Sequence, residues 1–290
     1  CMVDVGGIGN PLMDLIYQVH HDVEEEFGLE KGAFNLIDDA QLLYITSHIR
    51  HVVPTNRPGG SVANTIRLLA KLGVKTRFIG KLGHDQIGRT YRRLMEQDEV
   101  ATAFSWDDTP SGRALTFVTP DAQRTFATFL GAAGKLEELD IKETYIKDAH
   151  ALHISCYLLE EEHLRKAAFY ALKLAKQYNL RVSIDLADAH LITRVRHVIT
   201  DFMNHADVIF ANDDEAKMIG DSLPTAADIV VVKKGPDGSI IHHQGQKYEI
   251  APIKVDAVDT TGAGDAYAAG FLYGLLTNQN LAVCGQLGSL

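Results

Sequence analysis

No stretch of this chain stays apolar over the ~18 residues that a bilayer-spanning helix needs, and the N-terminus carries neither a basic region nor a signal-like apolar core. The sequence therefore predicts a protein that keeps out of the membrane and resides in the cytoplasm. Positive charge is also in deficit. Lys and Arg number 28 against 38 Asp and Glu, and the formal net charge of −10 repels a polyanion, so no nucleic-acid partner is expected. Cysteine is scarce: Cys1, Cys156 and Cys284 are odd in number and far apart, giving neither a disulfide framework nor metal-ligand spacing. Histidine is not scarce, at 13. Yet His20-His21, His150 with His153, and His242-His243 have spacings that split side chains between opposite faces of an extended segment, which speaks against a metal site at any of them.

What the chain does have is enough apolar material to bury a large core, 46% of 290 residues, arranged in alternation. Residues 3–8, 76–79, 151–154, 181–185 and 208–211 read as buried strands, and 61–72, 86–96, 160–177 and 191–203 as amphipathic helices. Strands joined by helices lie parallel, so the expected class is α/β, a doubly wound, mostly parallel sheet flanked by helices, in a single domain over 1–290. Two regions break the rhythm, about 12–36 and 112–130. The second holds two alternating runs, 113–118 and 125–129, around the turn-rich 119–123, a hairpin pattern. These segments are expected to form a small β-sheet outside the main one, a lid over the strand ends that would shut water out of a site there.

Five short patterns carry chemistry. In Asp259-Thr260-Thr261-Gly262-Ala263-Gly264-Asp265, two glycines around an alanine turn the backbone so that successive N–H groups face one concavity, where a small-residue helix begins. That arrangement binds an anion, and Asp265 in the first helical turn reads as a general base. Taken alone, the same string serves equally to shape and cap a helix. Pro58-Gly59-Gly60-Ser61-Val62-Ala63-Asn64 places glycines before a helix for which Ser61 is the expected N-cap; its bare backbone and the Asn64 amide suit a polyol, though a capped helix after a tight turn explains it too. Asn10 and Asp14 leave the first strand at the edge where α/β proteins bind ligands, and the Asp14 carboxylate can accept two hydrogen bonds from adjacent ring hydroxyls. Asn212-Asp213-Asp214-Glu215 follows a strand and opens a helix as a capping-box variant. Lys234-Gly235-Pro236-Asp237-Gly238 is a tight turn after a buried strand.

Residues 259–272 resemble the second signature of the ribokinase (phosphofructokinase B) family of carbohydrate and nucleoside kinases. Gly59, Gly60 and Asn64, with Gly73 and Gly83 beyond, resemble its first signature, from which Val62 and Ile66 depart. The resemblance implies a ribokinase-like fold and a kinase dependent on ATP and Mg²⁺. Asp265 would be its base, beside the Gly262, Ala263 and Gly264 anion hole. Asn10, Asp14, Gly59, Gly60 and Asn64 would hold the acceptor; Asn212, Glu215, Lys234, Gly235 and Gly238 the nucleotide. Glu215 would order water around Mg²⁺, and Asp259 and Thr261 would ligate K⁺. It also implies a homodimer through the lids, a further helix between 219 and 228 where this chain has few residues, and helical segments beyond 290. The Asn10 to Asp14 spacing looks most like adenosine kinases. The leading expectation is thus phosphorylation of a nucleoside's primary hydroxyl, with Phe117, Phe126 and Phe129 as stacking candidates. The alternatives are a kinase of free ribose or fructose, a non-catalytic sugar- or nucleoside-binding regulator, and a dehydrogenase. Gly6-Gly7-Ile8-Gly9 supports the last weakly, because the third glycine of a dinucleotide fingerprint is missing.

Overall fold

The computed structural model describes residues 2–19, 23–30, 34–119, 124–253 and 262–290. In chain order its strands are β1 (Val3–Ile8), β2 (Leu12–Gln18), β3 (Phe34–Leu36), β4 (Thr55–Gly59), β5 (Thr76–Gly83), β6 (Ala101–Asp107), β7 (Arg113–Val118), β8 (Arg124–Phe129), β9 (Ala149–Ser155), β10 (Arg181–Asp185), β11 (Val208–Asn212), β12 (Ile229–Lys233), β13 (Ser239–His243) and β14 (Gln246–Ile250). The helices are α1 (Val23–Phe27), α2 (Asp39–Ile49), α3 (Ser61–Lys71), α4 (Gln86–Gln97), α5 (Glu143–Lys147), α6 (Glu162–Gln177), α7 (Ala189–Arg194), α8 (Arg196–Met203), α9 (Asp213–Ile219), α10 (Ala263–Leu276) and α11 (Leu281–Ser289).

Nine strands form the main sheet in the order β14-β13-β12-β11-β10-β9-β1-β5-β6, parallel from β12 to β6 with an antiparallel edge at β13 and β14. Its two faces bury separate cores. Val5, Phe78, Phe210 and Phe271 gather on the face carrying α3, α4 and α10; Ile8, Ile154, Leu172 and Phe202 on the face carrying α6 and α8. Both faces are covered by helices, which is why β11 and β12 read as continuous apolar runs rather than alternating ones. The doubly wound α/β expectation is met.

The second sheet has the order β3-β8-β7-β2-β4, and β7 pairs with β8 antiparallel as the hairpin pattern predicted. Its strands β2, β3, β7 and β8 fall within 12–36 and 112–130. The sequence reading missed β4, whose residues Thr55-Asn56-Arg57-Pro58 lack alternation, and α2, which covers the sheet from behind through Leu42, Ile45 and Ile49. It also missed β6. The helix expected over 191–203 is two helices meeting at Val195, whose backbone leaves the helical range at φ −103° and ψ 15°. Between 219 and 228 the chain makes one 3₁₀ turn, Leu223–Thr225.

Candidate active site

Helix α10 begins at Gly262, which takes the left-handed conformation at φ 78° and supplies no side-chain cap, as an L-residue there would be strained. The N–H groups of the first turn are thus left to an outside partner. Asp265, in that turn, is held from across the chain: the Ser61 hydroxyl donates to Oδ1 at 2.6 Å and the Asn64 amide to Oδ2 at 2.9 Å. Thr65 donates to the Asp265 backbone carbonyl at 3.2 Å, so α3 and α10 are joined end to end at the site. Burial lifts the Asp265 carboxyl to about 6, the Ser61 and Asn64 donors pulling down against it, Asp185 pushing up and Lys233 pulling down.

The N-cap of α3 is Gly60, not Ser61. Gly60 sits at φ 99°, where a Cβ would lie 2.3 Å from the Asn10 carbonyl oxygen. Glycine therefore takes the cap position, and the Ser61 hydroxyl turns to Asp265 instead of capping its own helix.

Asp14 is brought to the same place by β2. A Cβ on Gly59 would lie 2.3 Å from Asp14 Oδ2, so the bare glycine makes room for the carboxylate. Burial raises the Asp14 carboxyl to about 6, opposed by Arg67 and Arg57 and reinforced by Asp265. Asn10 Oδ1 is buried with no hydrogen-bond partner among the described residues, an acceptor waiting for a donor. Asn10, Asp14, Gly59, Gly60, Asn64 and Asp265 thus converge where β1 and β2 part and α3 and α10 start.

The aromatic candidates separate by strand parity. Asp14 and Ile16 share a face with Thr116 and Phe126, whereas Tyr17 and Phe117, and Met13 with Arg113 and Phe129, lie on the other. Phe117 is fully buried, 5.8 Å from the Tyr17 ring and 5.6 Å from the Phe27 ring, and Phe129 is buried in the same cluster. Only Phe126 of the three stays on the Asp14 face.

At the ends of β11 and β12, Asn212 caps α9 and Glu215 closes a capping box. Glu215 N donates to Asn212 Oδ1 at 2.8 Å, while Asn212 N and Nδ2 donate to the Glu215 carboxylate at 2.8 and 2.7 Å. Burial raises Glu215 to about 7, with Asp185 adding to the rise, Asn212 and Lys233 opposing it, and Asp188 adding again. Lys234 Nζ lies 3.9 Å from Asp213 Oδ1, which sets the Gly235 to Gly238 turn beside the start of α9. Asp259 and Thr261 lie outside the described residues.

Two residues of this cluster went unread in the sequence, Asp185 and Lys233. Each ends a parallel strand at the carboxyl edge, and Lys233 Nζ meets Asp185 Oδ2 at 3.0 Å. A charge closing the apolar runs of β10 and β12 was the available signal, since that edge is where such sheets bind ligands. Among the described residues there is no cluster of three or more His, Cys, Asp or Glu able to hold a metal ion, and no helix is long and apolar enough to cross a membrane.

Comparison with known proteins gives the family and the fold. A family model described as pfkB family carbohydrate kinase matches residues 36–290. The chain is 32% identical to 5-dehydro-2-deoxygluconokinase of Geobacillus thermodenitrificans across 81% of this chain and 77% of that protein. It is 31% identical to probable fructokinase-7 of Arabidopsis thaliana across 77% and 71%. Among solved structures, adenosine kinase from Sinorhizobium meliloti superposes with a TM-score of 0.90 at 28% identity, covering 100% of this chain and 92% of that one. A probable sugar kinase from Rhizobium etli superposes with a TM-score of 0.91 at 29% identity, covering 100% and 91%.

Proposed function

Because this chain belongs to the pfkB family of carbohydrate kinases, we propose that it transfers the terminal phosphoryl group of ATP to a hydroxymethyl group of a free sugar or sugar acid. The observation that carries the reading is the placing of Asp265: a carboxylate held by Ser61 and Asn64, one turn inside a helix whose first N–H groups have no side-chain cap among the described residues. A hydroxyl between Asp14 and Asp265 gives its proton to Asp265 as its oxygen bonds to the γ-phosphorus. The bond from that phosphorus to the bridging oxygen breaks, and its electron pair leaves with ADP. The first-turn amides of α10 face the charge on the group in transit and need no rearrangement to do so.

Kinases of this family use ATP and a divalent metal, which neutralises charge on the phosphates. Here Glu215 suits an indirect hold: both its oxygens already accept from Asn212, so it presents its remaining lone pairs to water, in a negative field strengthened by Asp185 and Asp188. Lys234, Gly235 and Gly238 are assigned to the nucleotide, next to Asn212.

A free sugar or sugar acid is preferred over the nucleoside expected from the motif spacing. Phe117 and Phe129, two of the three stacking candidates, are committed to the core, and the sequence relatives cited act on sugars or sugar acids by name. The nucleoside reading stays as the second, favoured by Phe126 on the Asp14 face and by the likeness to the S. meliloti adenosine kinase. A coupled ADP-release assay with fructose, 5-dehydro-2-deoxygluconate and adenosine decides. A kcat/KM for adenosine about tenfold above both others, about 1.4 kcal/mol, reverses the preference.

A further inference from the structure

Lys233 is a buried cation that the proposed chemistry leaves without a task. Its side chain is 15% exposed, and among the described residues its ammonium has one partner, Asp185 at 3.0 Å, leaving further donor hydrogens unused. The ammonium lies over the glycine turn that starts α10: a Cβ built on Gly264 would be 3.0 Å from Nζ. The helix end by itself opposes a cation placed there. The first turn of a 14-residue helix carries positive partial charge, and a lysine set against it is repelled unless an anion lies between them. An ion pair kept only for stability has no reason to stand there, since a buried pair is commonly replaceable by apolar groups at little cost. Burial works against the charge, but Asp185, Glu215 and Asp265 together outweigh it, so the ammonium keeps its proton.

We propose that Lys233 is a catalytic residue that contacts the phosphoryl group in transit, completing with the first-turn amides of α10 an anion site in which Asp185 orients the ammonium. This rests on the kinase reading above. In the step, the acceptor oxygen to phosphorus bond forms, the phosphorus to bridging oxygen bond breaks with its electrons going to ADP, and the acceptor proton goes to Asp265. Lys233 stays protonated throughout. Its charge counts most when the phosphorus is only partly bonded to both the bridging and the acceptor oxygen and charge is spread over the three equatorial oxygens, so its removal lowers kcat rather than raising acceptor KM.

The test uses beryllium fluoride as the stand-in for the phosphoryl group. Calorimetry of MgADP binding, with and without beryllium fluoride, is compared for the wild type, Lys233→Met, Lys233→Arg and the double variant Asp185→Asn/Lys233→Met. The double variant removes both charges at once and guards against a single variant that fails to fold. MgADP affinity is expected to stay within about threefold in the single variants, while the tightening caused by fluoride, taken relative to each variant's own MgADP affinity, falls by at least about tenfold in both Met variants and is largely kept in Lys233→Arg. In turnover, kcat falls by about 10²–10³ with acceptor KM within about threefold. Unchanged fluoride tightening in the Met variants overturns the inference, as does a wild type that shows none. If the wild type phosphorylates no acceptor offered but its fluoride tightening depends on Lys233, the acceptor assignment has failed and the lysine assignment stands.

Discussion

Asp265, half-buried, and Glu215, buried, are carboxylates pushed upward, to about 6 and about 7, yet they are held in opposite ways. Glu215 takes its hydrogen bonds from Asn212, three residues earlier, in a capping box that any α-helix start can build. Asp265 takes its bonds from Ser61 and Asn64, 204 and 201 residues away in sequence, on a different helix. The first arrangement exists as soon as α9 forms; the second only once β1, α3 and α10 have packed together. Burial tunes both carboxylates, but the hydrogen bonds at Asp265 exist only in the whole fold, and Asp265 is the one assigned the proton transfer.

The sharpest break of this comparison is Asp265→Asn. The variant is expected to keep its fold by circular dichroism and to bind both substrates, while turnover drops by ~10²–10⁴, the range for loss of a general base. Activity near wild type would reduce Asp265 to a clasp between α3 and α10. Next comes Asp14→Ala, expected to weaken acceptor binding by about 1.5–3 kcal/mol, the scale of hydrogen bonds to a charged group, with ATP affinity nearly unchanged. Equal losses of both in calorimetry would move Asp14 out of the acceptor site.

The same contrast explains what was legible in the sequence. The start of α10, the α9 capping box and the Gly59-Gly60 approach could be read because each is a local pattern with a local physical cause. Ser61 was misread as a cap because the feature that displaces it, the Asn10 carbonyl crowding Gly60, lies 50 residues away in sequence. Phe117 and Phe129 could not be told from Phe126 without the register of β2, β7 and β8, since alternation gives two faces but not which one is covered. What lies over Phe117 on the hidden face is Phe27 of α1, itself packed against Tyr44 of α2, and both helices were unread. Lys233 and Asp185 each looked like a charge at the end of an apolar strand, and only the strand order brings them within 3.0 Å.

A smaller effect sharpens the comparison through pH. The base works ionised, so kcat should rise with pH through about 6, the level to which burial lifts Asp265. Ser61 donates to the charged form and pulls that value down; removing it in Ser61→Ala should move the acid limb upward by up to about one pH unit. Asn212→Ala removes the side-chain donor from Glu215 and leaves the backbone N–H in place; Glu215 does not accept the proton, so the limb should stay where it is. A limb that moves equally in both variants would mean that it reports Glu215 or the coupled set of carboxylates rather than Asp265.

The smallest effect concerns stability, and it separates Asp14 from Asp265. Asp14 has no hydrogen-bond donor among the described residues, and its folded-state value of about 6 lies above the ordinary 3.8 because burial penalises the charged form. A raised carboxyl favours the folded state while protonated, fully below about pH 4, and that contribution is lost as pH rises through about 6. Above that pH the carboxylate is a net burden that an amide of the same shape does not carry. Asp14→Asn should therefore be more stable than the wild type at pH 8 by about 1 kcal/mol, a Tm rise of roughly 2–4 °C for a chain of this size, after discounting for partial solvent access. The gain should shrink as pH falls through about 6 and vanish near pH 4. Asp265→Asn should show no such gain, because its amide cannot accept from both Ser61 and Asn64, and the lost hydrogen bond offsets the relief from burial. Urea unfolding of the three proteins at pH 8, 6 and 4.5 measures this directly. A gain for Asp14→Asn that is the same at every pH would show that the penalty on Asp14 is steric, set by its contact with Gly59, rather than electrostatic.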